Sequence, residues 1–181
     1  MAGLFGLARH DEHSRFIQAA LRIGSDPRDD EDLRLRKTLL LWAVLLVLPP
    51  AVLWGAMYWV LGEQSAAMVP WTYAVLTPVS IGAFALNRRY AWFAAFQFSL
   101  FLLLPFALMW VLGGFVAGSA VALWGWISPL GARIIGHRRA SVLLLAAFAG
   151  LLVLSAILQP MTNASNQLPD VAVLGLFVLN I

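Results

Sequence analysis

Residues 92–132, WFAAFQFSLFLLLPFALMWVLGGFVAGSAVALWGWISPLGA, form a run of 41 positions without one ionisable side chain. A helical membrane crossing takes about 20 mostly apolar residues. The run is long enough for two crossings, and Gly113-Gly114 punctuates its middle. It reads as two spans, 92–112 and 115–132, joined by a tight glycine turn.

Working outward, the same pattern repeats. Leu39–Gly62 and Val69–Leu86 precede this pair, Ala140–Leu158 follows it, and Val171–Ile181 begins a sixth run; the five complete runs contain no Asp, Glu, Lys, Arg or His. The whole chain of 181 residues is 61% hydrophobic and 12% charged, with a mean hydropathy of +0.82. Soluble domains are about 45–50% apolar and about 25% charged. So little charge cannot cover so much apolar surface in water, which excludes a soluble globular enzyme. Intrinsic disorder, which needs low hydrophobicity and high charge, is excluded as well. The expected fold class is all-α: a polytopic transmembrane helix bundle (39–181) with five complete spans and a truncated sixth, preceded by a short cytoplasmic helical arm (1–38).

The arm carries seven of the twelve basic residues and seven of the nine acids. Mixed charge of this kind does not describe a nucleic-acid arm, so no nucleic-acid partner is expected. It is too acidic for a signal peptide and lacks a small-residue cleavage pattern. One amphipathic helix is predicted over about His13–Ile23, where Phe16, Ile17, Ala20 and Leu21 share a face. A second is predicted to start at Asp26-Pro27, with Asp26 as N-cap, and to enter the bilayer as the first span.

The remaining basic residues give the orientation. Two, Arg88 and Arg89, lie between spans two and three, and three, Arg133, Arg138 and Arg139, between spans four and five. With the seven of the arm, all twelve fall on one side of an alternating topology. Lys and Arg accumulate in cytoplasmic loops, so the N-terminus is expected in the cytoplasm. The sixth run of eleven residues gives about 16 Å of helix at about 1.5 Å per residue, against a hydrocarbon core of about 30 Å. The chain therefore reads as the N-terminal piece of a longer protein.

No chemistry-bearing constellation emerges. The spans hold no ionisable group for a proton or ion pathway. The three histidines, His10, His13 and His137, lie outside the spans, and cysteine is absent. His10 and His13 have helix-face metal spacing but no second ligand cluster, so a solvated turn is the better reading. The serines at 80, 99, 119, 128 and 155 are dispersed and lack a histidine base. No catalytic, cofactor-binding or metal-binding residue is assigned, and no ligand is named. Packing and bending positions remain. Gly114 and Gly118 form a GxxxG at the start of span four, extended by Ser119, and small residues at that spacing let helices approach closely. Pro49, Pro50, Pro78 and Pro105 lie inside spans and are kink candidates. Gln97 and Asn180 are expected to hydrogen-bond between helices.

The stretch Asp29–Pro50, DDEDLRLRKTLLLWAVLLVLPP, followed by Leu53-Trp54-Gly55, resembles the opening of the six-span region that precedes bacterial class III adenylate/guanylate cyclase domains. The order Gly113-Gly114-Phe115-Val116, Ser119-Ala120-Val121, Leu123-Trp124, Pro129-Leu130-Gly131-Ala132 is similar to their third-to-fourth span region. Leu154-Ser155, Leu158-Gln159-Pro160, Leu168-Pro169 and Phe177–Ile181 resemble their fifth span and the start of their sixth. The resemblance implies location in the bacterial inner membrane and a sixth span that runs on into a helical linker. Beyond it would follow a cyclase domain that acts as a homodimer and uses two metal ions held by aspartates. No counterparts of those catalytic residues occur in this chain, so none is carried over. The expected role is membrane anchor and signal-input module of a nucleotide cyclase. The alternatives are the input module of a sensor histidine kinase, or a stand-alone membrane protein such as a neutral-solute carrier.

The orientation is directly testable because the chain has no native cysteine. Ser65→Cys is expected to react with an impermeant maleimide on intact cells and Ser141→Cys to be protected; the reverse pattern contradicts the charge argument.

Overall fold

A computed structural model describes residues 29–115, 117–161 and 170–180. The predicted helix at His13–Ile23 and the proposed cap at Asp26-Pro27 lie outside them. The described chain is helical: α1 (Glu31–Val60), α2 (Gln64–Asn87), α3 (Tyr90–Val111), a 3-10 segment (Val121–Trp126), α4 (Ile127–Ile134), α5 (Arg138–Leu158), a short 3-10 turn (Gln159–Met161) and α6 (Asp170–Asn180). Among the described residues, α1, α2, α3 and α5 are long and apolar enough to cross a membrane.

Helix α1 starts where Asp30, in extended conformation, accepts a hydrogen bond from the Leu33 backbone N–H through Oδ1 (2.8 Å). Glu31 and Asp32 in the first turn complement the positive helix end. Asp30, rather than Asp26, is therefore the cap of this helix. The helix continues unbroken across residue 38, so arm and bundle are joined by one rod rather than by a linker. Pro49 and Pro50 are accommodated inside it, Pro78 inside α2 and Pro105 inside α3.

The helices pack antiparallel in sequence order. Tyr73 donates its hydroxyl to the Val44 carbonyl (3.0 Å), and the Trp71 indole donates to the Val52 carbonyl (3.3 Å) while stacking on Trp59. Trp71 is thus a packing residue, and its ring fills the space over Gly55. Helix α3 is the central element, with eleven buried residues including Phe98, Phe101, Phe106 and Met109. By contrast α5 has only Phe148 and Ser155 buried. Leu144, Leu151 and Leu152 pack half-buried against the core, and most of its other apolar side chains face outward, as lipid-facing side chains do.

The fourth crossing differs from expectation. Residues 115–132 are not one α-helix. After turns at 112–115 and 117–120, the chain descends as the 3-10 segment and then the eight-residue α4. At about 2.0 Å per residue for 3-10 and about 1.5 Å for α, these 14 residues still cover about 24 Å. The cause is local. Gly113 and Gly114 take φ +99° and +103°, and Ser119 and Ala120 take φ +51° and +58°, which no right-handed helix admits. Gly114 and Gly118 therefore lie in turns before the helix and do not form a helical GxxxG stripe. Gly118 is nonetheless confined: a β-carbon there would lie 2.7 Å from the Gly114 carbonyl oxygen and 3.1 Å from Met109 Cα. The descending segment is wedged between α3 and α5. Gly125 lets the rings of Phe106 and Phe148 approach, and Ser128 donates to the Phe98 carbonyl (2.7 Å).

Gly118→Ala and Gly55→Ala are expected to lower the melting temperature in detergent by several degrees, the first through backbone crowding and the second by displacing the rigid Trp71 ring. Gly82→Ala, with nothing within 4 Å of the added carbon, is the matched control and should not lower it.

Candidate functional site

Two ends of the bundle carry the polar chemistry. At one end the start of α1, the α2–α3 connection and the α4–α5 connection meet. Lys37 and Asp29 form an ion pair (2.7 Å) with both side chains at least nine-tenths buried, and the Lys37 ammonium sits 5.9 Å from the centre of the Phe84 ring. Phe84 stacks in turn on Phe93 (4.7 Å). Tyr90 stacks on His137 (5.8 Å), and the Arg36 guanidinium lies against Gly136, whose φ of +88° suits only glycine. The aromatic rings and the buried pair thus tie the first helix to both of the connections that carry arginine. Arg36 also pairs with Asp32 (2.6 Å), an exposed i,i+4 bridge on α1. The described basic residues of the start of α1 (Arg34, Arg36 and Lys37), of the α2–α3 connection (Arg88 and Arg89) and on either side of the α4–α5 connection (Arg133, Arg138 and Arg139) therefore share one end, which is the segregation read from the sequence.

At the opposite end a single amide organises the glycine turn. Gln159 Oε1 accepts from the Phe115 N–H (3.0 Å) and its Nε2 donates to the Gly113 carbonyl (3.4 Å). Ser119 donates to the Val173 carbonyl (3.0 Å), so the turn also holds α6. Trp110 donates to Ser155 (2.9 Å), linking α3 to α5. Gln159 escaped the sequence reading because a glutamine just after a span looks like ordinary loop polarity; only the fold brings it to Gly113.

Between these ends the interior is almost wholly apolar. Gln97, fully buried, donates to Ser80 (2.7 Å), and Ser80 donates to the Thr77 carbonyl (2.8 Å). The interhelical role expected of Gln97 is thus present between α2 and α3, whereas the Asn180 side chain lies outside the described residues. Pro50, Pro70 and Pro105 line an apolar groove of about 160 Å³ between α1, α2, α3 and the 3-10 segment. Pro70, in the first part of α2, was not singled out from sequence, yet it shares this groove with two of the kink candidates. Pro49 and Pro78 do not line it. Among the described residues no group of three or more His, Asp or Glu side chains is placed to hold a metal ion.

No family model, no curated protein and no solved structure matches this chain.

The two ion pairs at the basic end should differ sharply in worth. Asp29→Ala leaves Lys37 buried without its carboxylate, and breaking a buried pair in this way costs about 3–5 kcal/mol. Asp32→Ala breaks an exposed pair worth about 0–1 kcal/mol. Chemical denaturation in mixed micelles is expected to rank them in that order, with added salt affecting the second pair only.

Proposed function

We propose that this chain is a membrane anchor and signal-input module of a bacterial adenylate/guanylate cyclase, embedded in the inner membrane with its basic end in the cytoplasm. The observation that carries the input role is the attachment of α6. This helix is held to the bundle through Ser119 and the turn at 119–120, and through Leu176, which packs into the cluster of Leu108, Met109 and Leu112. Residues 119 and 120 occupy the left-handed region without being glycine, a conformation that persists only where its surroundings impose it. A shift of that turn is transmitted to α6, and α6 is the helix that leads toward an output domain. The interior fits the same reading: among the described residues of the four long helices, charged side chains occur only at the starts of α1, up to Lys37, and of α5, at Arg138 and Arg139. A charge-coupled transporter would place such groups at mid-depth.

The cyclase assignment rests on the resemblance of residues 29–181 to the membrane regions of that family. Dimerisation through the complete protein is part of the same proposal.

The isolated chain is expected to make no cyclic nucleotide, because two-metal phosphoryl chemistry needs carboxylates that it does not supply. The gene's complete product is expected to make it in cyclase-deficient cells. Ser119→Ala, which releases α6 from the turn, should change that output by about fivefold, the factor that corresponds to one net hydrogen bond of about 1 kcal/mol. Pro105→Ala, which restores a backbone donor in α3 beside the groove, should shift it as well. Unchanged output in both variants at matched expression reduces the module to an anchor, and a reading frame without a cyclase domain removes the proposal.

A further inference from the structure

The second cavity of the bundle lies between α2 and α3 at the basic end. It has a volume of about 460 Å³, within the range of about 300–1,000 Å³ typical of small-molecule sites. Its body is apolar, formed by Leu76, Val79, Ala83, Phe93 and Phe96; its end is polar, formed by Asn87 and Arg89. Ser80, already engaged by Gln97, lies on its wall.

Three features define an occupant. First, the cavity opens sideways: Val79 and Phe96 on its border are exposed, and in a bilayer that exposure is to hydrocarbon. The occupant therefore arrives from the membrane and brings an apolar chain. Second, Arg89 closes the polar end and stands in neither of the ion pairs formed among the described residues: Asp29 is on Lys37, Asp32 is on Arg36, Asp30 caps α1, and Glu31 lies in the first turn of α1. Glu63 lies between α1 and α2, at the far end of the bundle. Third, Trp92 at the rim is 72% exposed, and tryptophan at such a position lies at headgroup depth. An apolar slot that ends under an arginine at that depth matches one acyl chain joined to an anionic headgroup. Arg89 supplies a donor fork suited to phosphate, and Asn87 adds a further hydrogen-bonding group.

We propose that the cleft between α2 and α3 binds one anionic phospholipid of the surrounding leaflet, with its phosphate on Arg89 and Asn87 and an acyl chain along Leu76, Val79, Ala83 and Phe96. A lipid seated there bridges the two helices whose polar contact is Gln97–Ser80, and its headgroup lies one residue from Tyr90, which packs on the α4–α5 connection through His137. Binding is independent of which output the module serves.

The test uses the intact chain in phosphatidylcholine nanodiscs doped with phosphatidylglycerol, released and examined by native mass spectrometry. One phosphatidylglycerol per chain is expected to be retained in preference to phosphatidylcholine. Arg89→Gln should lower that preference about fivefold, the contribution of one basic residue near an anionic membrane surface. Ala83→Trp fills the slot and leaves every arginine in place, and it should abolish retention. Arg138→Gln, at the same end but outside the cleft, should have no effect. Equal retention of the two lipids by the native chain overturns the proposal. So does equal loss in Arg89→Gln and Arg138→Gln, which marks general surface basicity, and so does undiminished retention in Ala83→Trp.

Discussion

Hydrocarbon offers no partner to a backbone N–H or carbonyl, and the rest of this structure follows from how one irregular segment meets that constraint. Helices α1, α2, α3 and α5 satisfy their backbones internally. Residues 112–115 and 117–120 cannot, because the positive φ at Gly113, Gly114, Ser119 and Ala120 interrupts any regular helix. Their polar groups are met one at a time. Gly118 N–H bonds to the Gly114 carbonyl (2.8 Å), Val121 N–H to Gly118 (3.0 Å) and Leu123 N–H to Ala120 (3.0 Å). Gln159 serves Phe115 and Gly113 from outside the segment. The segment is tolerated because α3 and α5 enclose it, with Gly125 and Gly131 providing the close approach to Phe106, Phe148 and Phe98.

That solution has consequences beyond the segment. It fixes the end of α5 through Gln159 and the position of α6 through Ser119. The helix proposed to carry a signal is thus attached to the least regular backbone in the bundle. A packed core moves between discrete arrangements rather than deforming smoothly. A turn held by a few side-chain hydrogen bonds is the element best placed to have two such arrangements.

The basic end works by a different balance. Lys37 and Asp29 are buried together, and each depends on the other, since either ion alone would be left desolvated. The pair sits against Phe84, and Phe84, Phe93 and Tyr90 continue the packing into α3. Around this junction Arg36 is half-buried and the other described arginines are exposed, as residues meeting a headgroup layer should be. Arg89 is in neither of the ion pairs made by the acids of α1, and on that ground the cleft beside it is proposed to take an anionic amphiphile. The signal path proposed through α6 and the lipid site proposed between α2 and α3 lie at opposite ends of the same antiparallel frame.

Composition and its patterning pointed to the class of this protein: apolar runs of about 20 residues without charge are long enough to cross a bilayer as helices. The segregation of basic residues was legible too, because loop order is enough to assign each loop to an end. The interhelical use of Gln97 followed from its isolation among apolar neighbours. What the sequence could not display is where a run stops being helical. Gly114 and Gly118 have helix-packing spacing, and only the backbone, at φ +103° for Gly114, places them in turns. Residues 115–132 are as apolar as a span, yet they descend as a 3-10 segment and a short helix, because hydropathy measures transfer to lipid and is blind to φ and ψ. Asp30 replaces Asp26 as the cap through one hydrogen bond to Leu33. Gln159, Ser128 and Pro70 gained their roles from neighbours 30 to 46 residues away or across a groove. Such roles are decided by tertiary contact, since the energy of a buried polar group depends on the partner the fold brings to it.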